Sequence, residues 1–287
     1  LLYTPSTSHY TVAFVSDPDG ATLVDQDQQD HWVAGWSQWL GRLSEEPGVA
    51  AAQVTIETAP DSGGRLRREV LGRIDSEAPD LAQQMLREAV RTYPQGSSQV
   101  RAYVCVTLTA TTPSGKKRGA DEMARDLASR LPSLSAGLSA TGAGIARPLT
   151  AQGLCEVVRT AYDPKVSELF DQAHFDGEDI DLDWTNVGPG AAEASWDSYR
   201  HDSGISVSWT MSSAPRGAVQ SGILRRLLAP HGDIDRKRVT LFYRPLDPAH
   251  AAAVVQADLR NHPFKVTSSR RPSAHDVLAA RQAQATA

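Results

Sequence analysis

The run from Val100 to Thr109 is the strongest constraint on what this chain can fold into. Val100, Ala102, Val104, Val106 and Leu108 alternate with Arg101, Tyr103, Cys105, Thr107 and Thr109. A period of two places the two sets on opposite faces of a strand. One face is apolar throughout and must be covered, so the rest of the sequence has to supply further strands and a helical layer.

Both are present. Tyr10, Val12 and Phe14 alternate with Thr11 and Ala13, and a second strand carries Val54 and Ile56. Between them, Trp32, Val33, Trp36, Trp39, Leu40 and Leu43 recur at helical spacing behind Asp25, Asp27 and Asp30. Acids at that place suit the positive end of a helix. Helices are expected around Leu66, Val70 and Ile74, through Leu81, Met85, Leu86 and Val90, and through Met123, Leu127 and Leu131, with a last strand over 144–149. With the helical inserts set aside, the order is βαβ–βαβ, a ferredoxin-like arrangement with an antiparallel sheet and helices on one face.

A comparable pattern returns later. Ile205, Val207, Trp209 and Met211 alternate with Ser206, Ser208 and Thr210, followed by a helix through Val219, Ile223, Leu224, Leu227 and Leu228. A strand through Val239, Leu241 and Tyr243 precedes a helix with Ala252, Val255 and Leu259. The expectation is an α+β protein of two ferredoxin-like, βαβ-containing halves, mostly antiparallel with helices packed on one face. Residues 1–150 form the first half, 151–194 a helix and acidic linker, and 195–287 a second, incomplete half.

Composition narrows the function classes. The 287 residues carry a net charge of -5, but residues 1–215 hold 17 basic and 29 acidic side chains, whereas 216–271 hold 11 basic and 4 acidic ones. The basic region includes Arg225, Arg226, Arg236, Lys237 and Arg238, a candidate face for an acidic or membrane-proximal partner. A solubilising polar surface is the alternative. Phe242, Tyr243 and Phe264 do not interleave with the basic residues as a stacking platform would, so direct nucleic-acid binding is not expected. Two cysteines, Cys105 and Cys155, exclude a disulfide-dense scaffold and a cysteine-rich zinc site. No run reaches the roughly 18 apolar residues of a membrane span. The start at Leu1 and the helical character around Ala279–Gln282 read as a fragment of a longer protein.

Ser114-Gly115-Lys116-Lys117 lacks the first glycine and the hydroxyl residue of a phosphate loop, and Gly142-Ala143-Gly144 is followed by Arg147 where a dinucleotide loop has its third glycine. Asp25, Asp27 and Asp30 lack the glycine and glutamate of a calcium loop, and the acidic run Asp176, Glu178, Asp179, Asp181 and Asp183 has no metal template. No cofactor or metal is expected. The one constellation of interest is Trp196-Asp197-Ser198-Tyr199-Arg200-His201-Asp202-Ser203-Gly204. His201 beside Asp202 offers an acid–base pair, with Ser198 or Ser203 as a nucleophile. Adjacent residues entering a strand diverge, however, which favours a structural corner with Trp196 and Tyr199 packed beneath it.

Several phrases together resemble a family of actinobacterial membrane proteins of integrative conjugative elements, encoded beside a secretion ATPase. They are Asp17-Pro18-Asp19-Gly20 with Trp32, Trp36 and Trp39; Glu57-Thr58-Ala59-Pro60-Asp61-Ser62-Gly63; Ala124-Arg125-Asp126-Leu127; Val158-Arg159-Thr160-Ala161-Tyr162-Asp163-Pro164; Ser195 to Gly204; and Arg238 to Pro245. The resemblance implies a hydrophobic anchor before Leu1, a large portion on the cytoplasmic face of the cell membrane, and a continuation after this chain that ends in another strand. It implies a non-enzymatic scaffold of conjugative DNA transfer or type IV-like secretion that engages the transfer ATPase, with homo-oligomerisation open. A type VII secretion component and a hydrolase or nuclease accessory enzyme using His201 and Asp202 are the alternatives.

Overall fold

The alternating run becomes β4 (Ser98–Thr109), which the structure, a computed structural model, sets inside a six-stranded sheet. It describes residues 1–260 apart from 19, 21–22, 94–96, 113, 179, 214–222, 248 and 258–259. In chain order the strands of this sheet are β1 (Leu2–Thr4), β2 (His9–Ser16), β3 (Val49–Pro60), β4, β5 (Arg147–Pro148) and, far along the chain, Lys237–Tyr243. A separate three-stranded sheet comprises β6 (Ala192–Ala194), β7 (Tyr199–His201) and β8 (Gly204–Ser206), which makes Lys237–Tyr243 β9. The large sheet runs β1-β2-β4-β3-β9, with β5 also on β2, and every pairing is antiparallel.

Register decides which side chains share a face. Val12 sits opposite Val106 and Phe14 opposite Val104, while Ala52 and Val54 meet the same two β4 residues from the other side. Two long helices cover this face, α1 (Gln26–Glu45) and α4 (Ala120–Ser139), through Trp39, Leu43, Met123, Leu127, Leu134 and Leu138. Burying each such side chain contributes about 1.5–3 kcal/mol, and this layer is the main core.

Close approach of α1 and α4 depends on small residues. A Cβ at Gly137 would lie 2.7 Å from Trp39 Cδ1, so the indole fills the space that a side chain would take. The Trp39 indole N–H donates to the Leu134 carbonyl at 3.2 Å. Asp25 caps α1, accepting from the Gln28 N–H at 2.9 Å, and Asp30 accepts from the Gln26 amide at 2.7 Å. The early aspartates therefore serve the start of the helix.

Shorter helices follow α1: α2 (Gly64–Leu71), α3 (Asp80–Thr92) and, after α4, α5 (Ala151–Tyr162), α6 (Val166–Asp176) and α7 (Arg225–Leu228). Residues of α5 and α6 stand across a cleft from the second face of the large sheet. Helices thus lie on both faces, not on one as the alternation alone implies. That second face is polar but partly covered, because Thr55, Glu57 and Tyr103 are buried there.

The expected second half differs most. Of the strand expected over 205–211 only Ile205 and Ser206 are in a strand, at the end of β8, and Trp209 and Met211 are exposed. Alternation makes a strand only where a partner surface exists, and the free edge of β3 is taken instead by β9. Val239, Leu241 and Tyr243 do form a strand as expected, but in the sheet of the first half. The second ferredoxin-like copy is not seen among the described residues. Residues 249–257 are helical, in line with the expected last helix, while 258–259 and the expected helix start at Val219 lie outside the described residues. The expected strand over 144–149 contracts to Arg147–Pro148.

Candidate functional site

Two places gather polar side chains. At the first, the chain turns between β7 and β8 with Asp202 in the left-handed region, at φ 35°. Aspartate tolerates this conformation better than most side chains. The turn sends His201 and Asp202 apart. His201 is 3% exposed, and its Nδ1 meets the Tyr162 carbonyl while its Nε2 meets the Ser206 hydroxyl. A carbonyl only accepts, so Nδ1 donates to it, and Nε2 is hydrogen-bonded to the Ser206 hydroxyl. Tyr199 and Tyr162 pack on the ring, with centroids 5.5 and 5.9 Å away.

Asp202 instead accepts from the Gly190 N–H at 2.9 Å and the Ala191 N–H at 3.1 Å, and pairs with Arg159 at 3.0 Å. The Ala191 bond foremost, with Gly190 and Arg159, holds its carboxyl below the usual aspartate value. Arg159 also donates to the Gly188 carbonyl at 2.7 Å and to Asp163 at 3.1 Å, and Asp163 accepts from the Ser203 hydroxyl. Two phrases far apart in sequence, Val158–Pro164 and Ser195–Gly204, thus form one corner. Both nitrogens of His201 are occupied, and Asp202 faces elsewhere. Ser198 bonds with Ser195 at 2.8 Å rather than with the histidine. Trp196, expected beneath the corner, is fully exposed, because the bend at 195–198 turns it outward. Arg200 lies on β7 as an exposed residue opposite Glu193 and Ile205.

The second place is the cleft between the polar face of the sheet and α5–α6, with a cavity of about 240 Å³. Register builds its floor. Glu57 on β3 lies opposite Arg101 of β4 on one side and Arg238 of β9 on the other, and Val15 lies opposite Arg147 of β5. Glu57 is 5% exposed and binds both Arg236 and Arg238, the latter at 2.8 Å. Arg101 and Arg147 share Asp17 at 3.5 and 3.9 Å. Burial, then the charge of Glu57, pushes the Tyr103 phenol up, so its O–H stays protonated. Across the cleft, His174 faces Glu156 at 3.4 Å and Asp171 accepts from the Ser62 hydroxyl.

The basic residues of the expected partner face therefore divide. Arg225 and Arg226 on α7 are exposed, flanked by exposed Ile223, Leu224 and Leu227. Arg236 and Arg238 turn inward to Glu57, and the Lys237 ammonium donates to the Ala229 carbonyl. These three are not free surface charges, because a buried carboxylate and the carbonyl that ends α7 recruit them.

The sequence did not mark Glu57, Asp17, Arg101 and Arg147 as a group. The available signal was a lone acid in a strand whose two neighbours each place an arginine opposite it, legible only once the register is known. Burial raises both the Cys105 and the Cys155 thiols, which keeps them in their unreactive form. Among the described residues no cluster of three or more His, Cys, Asp or Glu side chains could hold a metal, and no helix is long and apolar enough to cross a membrane. No family model matches this chain, and no curated protein matches it.

Proposed function

We propose that this chain is a docking domain of a membrane-anchored component of a conjugative DNA-transfer or type IV-like secretion apparatus, and that it binds the transfer ATPase on the cytoplasmic face of the membrane. The observation that carries the reading is the segment 223–227, which presents Ile223, Leu224 and Leu227 beside Arg225 and Arg226, all exposed. The two guanidiniums have no ion-pair partner among the described residues. Arginine is enriched at the energetic centres of interfaces, and the exposed apolar side chains beside it offer area that a partner can cover. The sequence resemblance supplies the ATPase as partner and the anchor before Leu1 as the route to the membrane.

The alternative of a hydrolase or nuclease accessory enzyme draws no support from the corner, where His201 and Asp202 are each engaged in separate structural bonds. A type VII secretion component remains the second reading of the partner class. For residues 1–150 we infer a ferredoxin-like arrangement. The order β5-β2-β4-β3, with β4 inserted antiparallel between β2 and β3, supports it, and β9 extends that sheet by one strand.

The test is affinity capture of the tagged, anchored full-length protein from the host membrane. Recovery of the transfer ATPase with wild type, and its loss with Arg225→Glu/Arg226→Glu, is the expected result. Recovery of a type VII ATPase instead selects the second reading, and equal recovery with the double variant removes 223–227 as the docking segment.

A further inference from the structure

We propose that the cleft between the large sheet and α5–α6 is a binding site for a small organic dianion, the chemistry shared by phosphomonoesters and dicarboxylates. This site is separate from the docking segment and goes beyond that reading.

Charge is mismatched on the floor of the cleft. Four guanidiniums, Arg101, Arg147, Arg236 and Arg238, reach the floor of the cleft, where they meet two carboxylates, Asp17 and Glu57. Glu57 is fully engaged by Arg236 and Arg238. Asp17 sits between Arg101 at 3.5 Å and Arg147 at 3.9 Å, both longer than the roughly 2.7–2.9 Å of a charge-assisted hydrogen bond. Each guanidinium offers five N–H donors in a rigid fork, and at these distances Asp17 leaves most of the donors of Arg101 and Arg147 without a close acceptor. Surplus positive charge on one wall calls for an oxygen-rich anion.

Size and the facing wall narrow its class. A cavity of about 240 Å³ has room for a metabolite of a few carbons. The α5–α6 wall carries Glu156, held near His174, and Asp171, held by Ser62. These acids repel an anionic end and accept hydrogen bonds from hydroxyls. The ligand is therefore polarised, with its dianionic group on the arginine floor and hydroxyl-bearing carbons toward the helices. The Tyr103 O–H, on the same floor, adds a donor to the anionic end.

Calorimetry on the full chain tests this with glycerol 3-phosphate and malonate as probes and acetate as the monoanion control. Arg147→Gln is the main variant, because that side chain is 68% exposed and its loss leaves the core packing intact. Arg101→Gln is the second variant, with melting temperature recorded for both. The expected result is saturable binding of at least one dianion, with acetate at least tenfold weaker and each variant weakened at least tenfold. Preference for glycerol 3-phosphate over malonate, or the reverse, identifies which source of dianion the site takes. Absence of saturable binding by both dianions overturns the proposal, as does undiminished affinity in a folded Arg147→Gln or acetate binding as tightly as the dianions. Binding of a hexaglutamate peptide without binding of either small dianion also overturns it, and reassigns the floor to a partner's acidic tail.

Discussion

Glu57→Gln is the most informative single change, because Glu57 ties β3 to a strand nearly two hundred residues later. Its side chain is 6% exposed, Arg236 is 15% exposed and Arg238 is 29% exposed. Removing one member of a buried ion pair costs about 3–5 kcal/mol, since the remaining charge stays desolvated without compensation. Arg238 keeps part of its hydration and glutamine retains one acceptor oxygen, which places the loss near the lower end, about 3 kcal/mol. For a chain of this size that corresponds to a fall in melting temperature of roughly 6–12 °C. Urea unfolding gives the free energy, and hydrogen exchange locates it, with the amides of β9 losing protection before those of β4. The double variant Glu57→Gln/Arg236→Gln recovers part of the loss, because one uncompensated guanidinium goes with its partner. A cost below about 1 kcal/mol, the range of an exposed pair, refutes the claim that this contact is a buried tie between distant parts of the chain.

Two further outcomes follow from the corner. His201→Ala leaves the Tyr162 carbonyl and the Ser206 hydroxyl without their partner, so urea unfolding loses about 1–3 kcal/mol; an unchanged unfolding midpoint contradicts the structural role. The lowered Asp202 carboxyl stabilises the fold above the ordinary aspartate value of 3.8, and this contribution disappears as pH falls through the depressed folded value. Stability measured against pH therefore loses part of its acid dependence in Asp202→Asn, which keeps a side chain that tolerates the left-handed turn, and an unaltered profile counts against the assignment.

How much of this was legible in the sequence depends on what each signal encodes. The strands through Tyr10–Phe14, Val54–Ile56 and Val100–Leu108 and the helices carrying Trp39 and Leu127 were readable, because one apolar face and its cover leave a periodic trace. The divergence of His201 and Asp202 was expected from strand alternation, whereas the structure obtains it from the left-handed turn between β7 and β8. The placement of β9 was not, because Val239, Leu241 and Tyr243 alternate equally well for any sheet edge. Ile205–Met211 misled for the same reason, since the pattern was present and the partner surface was not. The arginine-floored cleft was invisible because it arises from register. Glu57, Arg101 and Arg238 become neighbours only when three strands from distant parts of the chain align. Likewise Trp196 looked like core from its type alone, and the bend that turns it outward has no compositional mark.

The proposed docking of a transfer ATPase through 223–227 is tested most closely by a direct affinity measurement. The anchored full-length protein in vesicles is titrated with the purified ATPase, wild type beside Arg225→Glu/Arg226→Glu, at matched ionic strength. Saturable binding by wild type and at least a tenfold loss in the double variant are expected, with the melting temperature unchanged because both side chains are exposed. Equal affinity of the two proteins, or no binding by wild type, contradicts it.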